Sequence, residues 1–283
     1  MLLIKNIGYK VKDKALLQDI NVAIQPAAFT AIMGANGAGK STLLKILSGD
    51  LKQNTGDVIW NNLKLQDYAV KDISKRRSVL RQQYNIQLPF TSREIIEMGR
   101  YPHFNGRLTE HCRNIIKQVA EYVGVSAMME RNYLTLSGGE QQRVQLARVL
   151  VQVWDAPEGQ KLIMLDEPVS ALDIHYQHQL LALVKELTAH GFTIIAVLHD
   201  LNLAMQYADD IMLMKKGKLV SFGNRLAVMN TESIKETFDV DVTLHRNAAA
   251  DYPFIIVKQQ QTFINSEQTN LYVNSDHVIE GKI

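Results

Sequence analysis

The nine residues Gly34 to Thr42, GANGAGKST, constrain this chain more than any other stretch. They fit the pattern G-x-x-x-x-G-K-[S/T] and follow directly on the apolar run FTAIM. A glycine-rich turn between a strand and a helix lets backbone N–H groups approach phosphate oxygens with no Cβ in the way. The helix that follows aims its positive end at the same anion. Gly34, Ala35, Asn36, Gly37, Ala38 and Gly39 make the turn, Lys40 adds a full charge, Ser41 offers a hydroxyl to Mg²⁺, and Thr42 continues the helix. A plain glycine turn at a helix start is the alternative, and the preceding strand pattern weighs against it.

Short apolar runs alternate with helical patterns along the rest of the chain, which predicts an α/β fold. Strands are expected at Leu2–Tyr9, Asp19–Ile24, Phe29–Met33, Val58–Trp60, Leu162–Leu165, Thr193–Leu198 and Ile211–Met214. Val58–Trp60 is expected to join the first two in an antiparallel patch. Helices are expected over Lys40–Leu47, Thr91–Gly99 (with Thr91 and Glu94 as a capping box), Thr109–Val123, Glu140–Val153 and His175–His190. Residues 83–160 hold helices and few strand signals, so they read as a helical lobe inserted between core segments 1–82 and 161–258. From Gln259 to the end the chain turns polar and loses periodicity, and 259–283 reads as a loosely packed tail.

Composition excludes several classes. Of 283 residues, 46% are apolar and 21% charged, too apolar for a disordered chain. The net charge of +2 gives no bulk attraction for nucleic acid, which is not expected as a partner. A single cysteine, Cys112, makes no intrachain disulfide and suits a reducing compartment. The N-terminus MLLIKNIGYK does not read as a secretory signal, and no run reaches the roughly 18–20 apolar residues of a membrane span.

Two further motifs carry chemistry. LIMLDEP places Asp166 and Glu167 at the C-terminal end of a buried strand, the edge where such sheets bind ligands. Asp166 suits Mg²⁺, and Glu167 suits proton transfer with an attacking water. A solvated acidic turn is the alternative. LSGGEQQR opens a helix with Ser137, Gly138 and Gly139, either a second anion-binding helix start or a bland cap.

In this order, a phosphate loop, LSGGEQQR, LDEP, SALD (Ser170–Asp173) and a late histidine make the chain resemble the ATP-binding subunits of ABC transporters. The resemblance runs from about Leu2 to Gly223. It implies a RecA-like P-loop NTPase core with an N-terminal antiparallel β patch and an inserted helical lobe. ATP and Mg²⁺ are the implied substrate and metal, and two copies would sandwich two ATP molecules. Lys40 of one copy and Ser137–Gly139 of the other would then hold the same γ-phosphate. By resemblance, Tyr9 stacks on adenine, with a strand-packing tyrosine as the alternative. Gln82 senses the γ-phosphate, binds Mg²⁺ with Ser41 and Asp166, and couples to the membrane partner; its neighbour Gln83 leaves that assignment open by one. Glu167 is the catalytic base, Asp173 communicates across the dimer, and His199 in VLHDLNLA contacts the γ-phosphate. Ala35 and Val169 replace a frequent proline and threonine without removing a reacting group.

The stretches RSVLRQQYNIQLPFTSREIIEMGRYPH, LARVLVQVW and VLHDLNLAMQYADDI are similar to importers of iron chelates, cobalamin and haem. The insert Trp154–Gln160 is similar to that of haem-importer ATPases. The implied partners are a transmembrane permease dimer and, indirectly, a periplasmic or surface substrate-binding protein, with this subunit peripheral on the cytoplasmic face of the inner membrane. Siderophore, cobalamin and metal importers are the near alternatives, and a soluble ABC ATPase or an ATP-holding regulator the distant ones. His175 and His178 read as a solvated face, with metal ligation as the alternative, Lys75–Arg77 as a solvated helix end or a lipid contact, and Cys112 as inert. The aromatic loop Gly99–Gly106 reads as part of a permease groove or as simple lobe packing.

Overall fold

The computed structural model describes residues 1–82, 86–246 and 251–258; the tail 259–283 and Gln83 lie outside the described residues. Strands β1 (Leu2–Val11) and β2 (Lys14–Ile24) form a hairpin. Between the N-terminal sheet and the main sheet's first strand, β3 (Phe29–Met33), the chain turns once; β4 (Thr55–Trp60) and β5 (Leu63–Lys64) then complete an antiparallel sheet of order β2-β1-β4-β5. The expected patch is present, but its second strand starts at Lys14, not Asp19. The reason is a register shift between the pairs Ile4↔Val22 and Ile7↔Ile20. Asn6 and Asp19 both take positive φ there, and Asn6 Nδ2 donates to Asp19 Oδ1 at 2.8 Å. Short polar side chains tolerate that backbone, and the shift breaks the period-two pattern that would mark one continuous strand.

The main sheet adds β6 (Arg77–Leu80), β7 (Lys161–Asp166), β8 (Phe192–Val197), β9 (Asp210–Lys215) and β10 (Lys218–Asn224), in the order β10-β9-β3-β8-β7-β6. All neighbours are parallel except β9 and β10. The residues of β3 and β8 are all buried, as continuous apolar runs covered on both faces must be. Alternate side chains divide between two cores. Ile32, Met164, Ile195, Val197 and Met212 pack with the N-terminal sheet and α1 (Lys40–Leu47). Phe29, Ala31, Ile163, Leu165, Ile194 and Leu213 pack with the helices of the other face.

After α2 (Val70–Ser74), three α-helices lie between β6 and β7 among the described residues: α3 (Ser92–Met98), α4 (Glu110–Val123) and α5 (Gly138–Val153). Thr91 and Glu94 form the expected capping box. The chain continues through α6 (Ile174–Ala189), α7 (Leu201–Tyr207), α8 (Arg225–Val228), α9 (Thr231–Phe238) and a hairpin of β11 (Val242–Arg246) and β12 (Pro253–Val257). Sequence reasoning passed over β6, α7, β10 and all that follows. Strand β6 has only four residues, opening on an arginine at the sheet's edge, too short for a periodic signal. That arginine, Arg77, was expected on a solvated helix end; instead it starts the strand, and burial pushes its pKa down. Among the described residues no helix is long and apolar enough to cross a membrane.

One polar node ties the α3–α5 region together. Arg100, fully buried, donates to both oxygens of Asp155 at 2.7 and 2.9 Å and to the Val151 carbonyl at 2.6 Å. His111 Nε2 lies 2.8 Å from the same carboxylate. Burial works against the Asp155 carboxylate, but the hydrogen bonds from Arg100 and His111 outweigh it and hold its pKa below the usual range. Removing one member of such a pair strands a buried charge. Asp155→Ala is therefore expected to lower unfolding stability by about 3 kcal/mol in urea titration.

Candidate functional site

The glycine-rich turn leaves the C-terminal end of β3, between β8 and β9. Gly34 has φ 152°, and a Cβ there would lie 2.2 Å from the Met214 carbonyl oxygen, so no other residue fits without moving β9. Lys40 Nζ folds back to donate to the carbonyls of Gly34 at 2.8 Å and Ala35 at 3.1 Å. Burial pushes the Lys40 pKa down, and the charges of Glu167 and Asp166 work against that shift. The loop floors a cavity of about 490 Å³ lined by Asn36, Gly37, Ala38, Gly39, Lys40, Ser41 and Thr42. Its walls are Lys14–Leu16, Glu167, Lys216 and Gly217. Its size suits a small-molecule ligand.

Three neighbouring strands deliver the polar groups at one end. Asp166 closes β7 and accepts from Ser41 Oγ at 3.4 Å. Burial, then the charge of Glu167, pushes the Asp166 pKa up, and the Ser41 bond pulls it back. Glu167 turns sharply, with φ 51°, a conformation costly for a non-glycine residue and common where function needs it. Its Oε2 accepts from Gln82 Nε2 at 2.7 Å, and its Oε1 lies 2.7 Å from His199 Nε2. Gln82 comes from beyond β6 and His199 from beyond β8, so side chains 85 and 32 residues away clamp one carboxylate from both sides.

Ser41 and Asp166 are hard oxygen donors in contact, and Gln82, whose amide N–H₂ is spent on Glu167, has its carbonyl oxygen to offer. Among the described residues no three His, Cys, Asp or Glu side chains form a metal cage. This donor set fits Mg²⁺, which keeps water and phosphate oxygens in its shell and takes one or two protein carboxylates. His175 and His178, three apart on α6, instead bond Gln179 Nε2 at 2.9 Å and the Tyr207 hydroxyl at 2.8 Å.

The other expected residues lie apart from the cavity. Ser137 caps α5: its Oγ accepts from Glu140 N at 3.3 Å, while Glu140 Oε2 accepts from Ser137 N at 2.8 Å. Gly138 lines a smaller space of about 160 Å³ shared with Gln82 and Glu167. Gly139 abuts the ring of Tyr176, which a Cβ would meet at 2.9 Å. Asp173 caps α6, accepting from Tyr176 N at 3.0 Å. Tyr9 pairs with Leu17, one residue beyond the cavity wall, and packs on the N-terminal core. Sequence reasoning missed Lys14, Lys216 and Gly217 in the cavity wall. It also missed Gln142, whose Nε2 donates to the Pro168 carbonyl at 2.8 Å and links α5 to the turn holding Glu167. The Lys-Gly pair between two apolar runs marks a hairpin turn, but nothing local to it points to the phosphate loop.

The ABC transporter family model matches residues 17–170. The hemin import ATP-binding protein HmuV of Escherichia coli O157:H7 is 38% identical, the match covering 91% of this chain and 99% of that one. Its counterpart in Gloeobacter violaceus is 39% identical over 90% of this chain and 94% of that one. In structure, a putative metal-chelate type ABC transporter in an inward-facing conformation superposes with a TM-score of 0.78 at 24% identity, covering 91% of this chain and 97% of that chain. A dimeric bacterial ABC transporter cassette gives 0.68 at 27% identity, over 80% and 99%.

Gly34→Ala tests the geometry of the loop. The substitution is expected to cost about 2 kcal/mol of stability, read by urea unfolding, and to abolish binding of a fluorescent nucleotide.

Proposed function

The chain belongs to the ABC transporter family, and we propose that it is the ATP-hydrolysing subunit of an importer that takes up haem. It works on the cytoplasmic face of the inner membrane against a transmembrane permease dimer, which a periplasmic or surface substrate-binding protein supplies. The clamp of Gln82 and His199 on Glu167, beside the phosphate loop, carries the ATPase reading. The similarity to hemin import proteins over nine-tenths of the chain supports haem as the cargo.

In this reading the backbone N–H groups of Gly37 to Ser41 and the Lys40 ammonium hold the phosphates. Ser41, Asp166 and Gln82 would hold Mg²⁺, which would offset the phosphate charge. Glu167 takes a proton from a water as its oxygen attacks the γ-phosphorus in line with the bond to the bridging oxygen. That bond breaks, and ADP leaves with the electron pair. A hydrogen bond from Gln82 to Oε2 and the His199 ring nitrogen 2.7 Å from Oε1 hold both carboxylate oxygens, so the base is oriented before substrate arrives. His199, at Glu167, reaches the γ-phosphate.

A second copy completes the site. Ser137, Gly138 and Gly139 open α5 outside their own chain's phosphate cavity; in this reading they meet a partner's γ-phosphate, and Asp173 communicates across the dimer. Tyr9 stacks on adenine at the hairpin end. The lobe of residues 83–160 turns against the core of 1–82 and 161–258 when the nucleotides are enclosed. Gln82, at the junction, passes that motion to the permease.

Glu167→Gln is expected to cut ATP turnover by about 10²–10⁴-fold while keeping nucleotide bound, and to trap a dimer visible by size exclusion. A normal rate would remove Glu167 from the role of base. The cargo is checked by ATPase activity in liposomes with the permease and a delivery protein loaded with haem, ferric siderophore or cobalamin in turn. Stimulation by haem alone is expected; stimulation by another load sinks the haem reading.

A further inference from the structure

Two lysines line the phosphate cavity and take no part in the reaction above: Lys14 on the β1–β2 hairpin and Lys216 in the turn between β9 and β10. The sheet order says which end they occupy. Strand β7, which Glu167 follows, lies two places from β3 on one side; β9 lies beside β3 on the other. The hairpin and the turn are in contact, since Gln18 N donates to the Gly217 carbonyl at 2.8 Å. The cavity therefore runs over the end of β3 with Glu167 at one extreme and both lysines at the other.

The turn is set rigidly. Lys216 and Gly217 both have positive φ, 47° and 79°, the pattern of a tight two-residue hairpin turn. Gly217 N donates to the Ala38 carbonyl at 3.0 Å, fastening the turn to the phosphate loop itself. On its other side, Lys215 Nζ donates to the Glu236 carbonyl at 2.6 Å and to Asp239 Oδ1 at 2.7 Å, fastening it to the end of α9. The backbone of Lys216 is thus pinned from both sides while its side chain is exposed in the cavity wall.

Charge explains why such a lysine is useful. Lys40 spends its Nζ on two loop carbonyls and feels the charges of both Asp166 and Glu167. The inner end of the cavity therefore sets the Glu167 carboxylate in its wall, with Asp166 close behind, beside a buried ammonium already engaged by the loop. A polyphosphate needs further positive charge, and in the cavity wall it comes from Lys14 and Lys216.

We infer that Lys216, with Lys14 near it, grips the α-phosphate side of the nucleotide, the part that ATP and ADP share. This rests on the cavity being the ATP site. Lys216 is then an affinity residue that binds substrate and product alike and leaves the attacked phosphate to Glu167 and Lys40.

The test is competition by ATP, ADP and adenosine against a fluorescent ATP, on the whole chain, at low and high salt. For Lys216→Ala, the Kd values for ATP and ADP are both expected to rise about tenfold and their salt dependence to flatten. Adenosine, with no phosphate, should compete as before, and Lys216→Arg should restore affinity to within about twofold. Unaltered ATP and ADP binding in Lys216→Ala overturns the proposal. So does an equal loss for adenosine, which marks a collapsed turn, and so does a loss for ATP alone, which moves the contact to the γ-phosphate. If the unsubstituted chain binds none of the three, the ATP reading itself fails.

Discussion

Every side chain of β3 is buried, and its alternate residues are claimed by two different cores. Phe29 and Ala31 pack with the helical face, Ile32 with α1 and the N-terminal sheet. A strand so enclosed has one place for a polar function, its open C-terminal end. The phosphate loop emerges there, braced by Gly34 against the β9 backbone and by Ala38 against the following turn. The loop's shape depends on β9 as well as on its own glycines, because a Cβ at Gly34 would meet the Met214 carbonyl oxygen at 2.2 Å, closer than the loop's own Ala38 Cβ at 3.1 Å.

The same edge solves the problem of aiming a carboxylate. Glu167 follows the last residue of β7 in a strained backbone conformation, and alone it would swing freely. The parallel neighbours β6 and β8 end at the same level, so the residues just beyond them, Gln82 and His199, reach its two oxygens. Behind it, Asp166 points toward Ser41 at the start of α1. Adjacent carboxylates thus face different partners, Glu167 the Gln82 amide and the His199 ring, Asp166 the Ser41 hydroxyl. Burial first, and the nearness of Glu167 second, push the Asp166 pKa up.

The α3–α5 region is held by polar hubs in addition to its apolar core. Asp155 gathers Arg100 from beyond α3 and His111 from α4 beside the end of α5. Gln152 extends the connection to the carbonyls of Ser74 and Arg77 at 2.7 and 2.9 Å, where β6 begins. Strand β6 leads directly to Gln82. At its other end α5 touches the turn that holds Glu167 through Gln142 and the Pro168 carbonyl. A displacement of α5 is therefore felt at both ends of the site, at the segment carrying Gln82 and at the turn carrying Glu167.

The local chemistry was written in the sequence. The spacing of GANGAGKST, the apolar run before LDEP and the caps at Thr91 and Ser137 each depend on a few consecutive residues, whose backbone geometry is decided locally. The strands buried on both faces were legible for the same reason, since LIMLD and FTIIAV have no polar period to confuse. What only the tertiary structure decided is everything that joins distant segments. The four-residue β6 is a strand because β7 is there to pair with it, and Lys14–Gln18 belongs to β2 despite the register shift at Asp19. Arg100, expected in a loop, is buried because Asp155 awaits it, and Arg77, expected on a solvated helix end, is half-buried because a strand register carries it inward. Lys216 reaches the phosphate cavity because β9 lies beside β3, and no property of the residues around Lys216 encodes that neighbour. Short-range geometry is fixed by dihedral preference and hydrogen bonding along the chain, whereas the order of strands in the sheet is fixed by how two cores share the faces of β3.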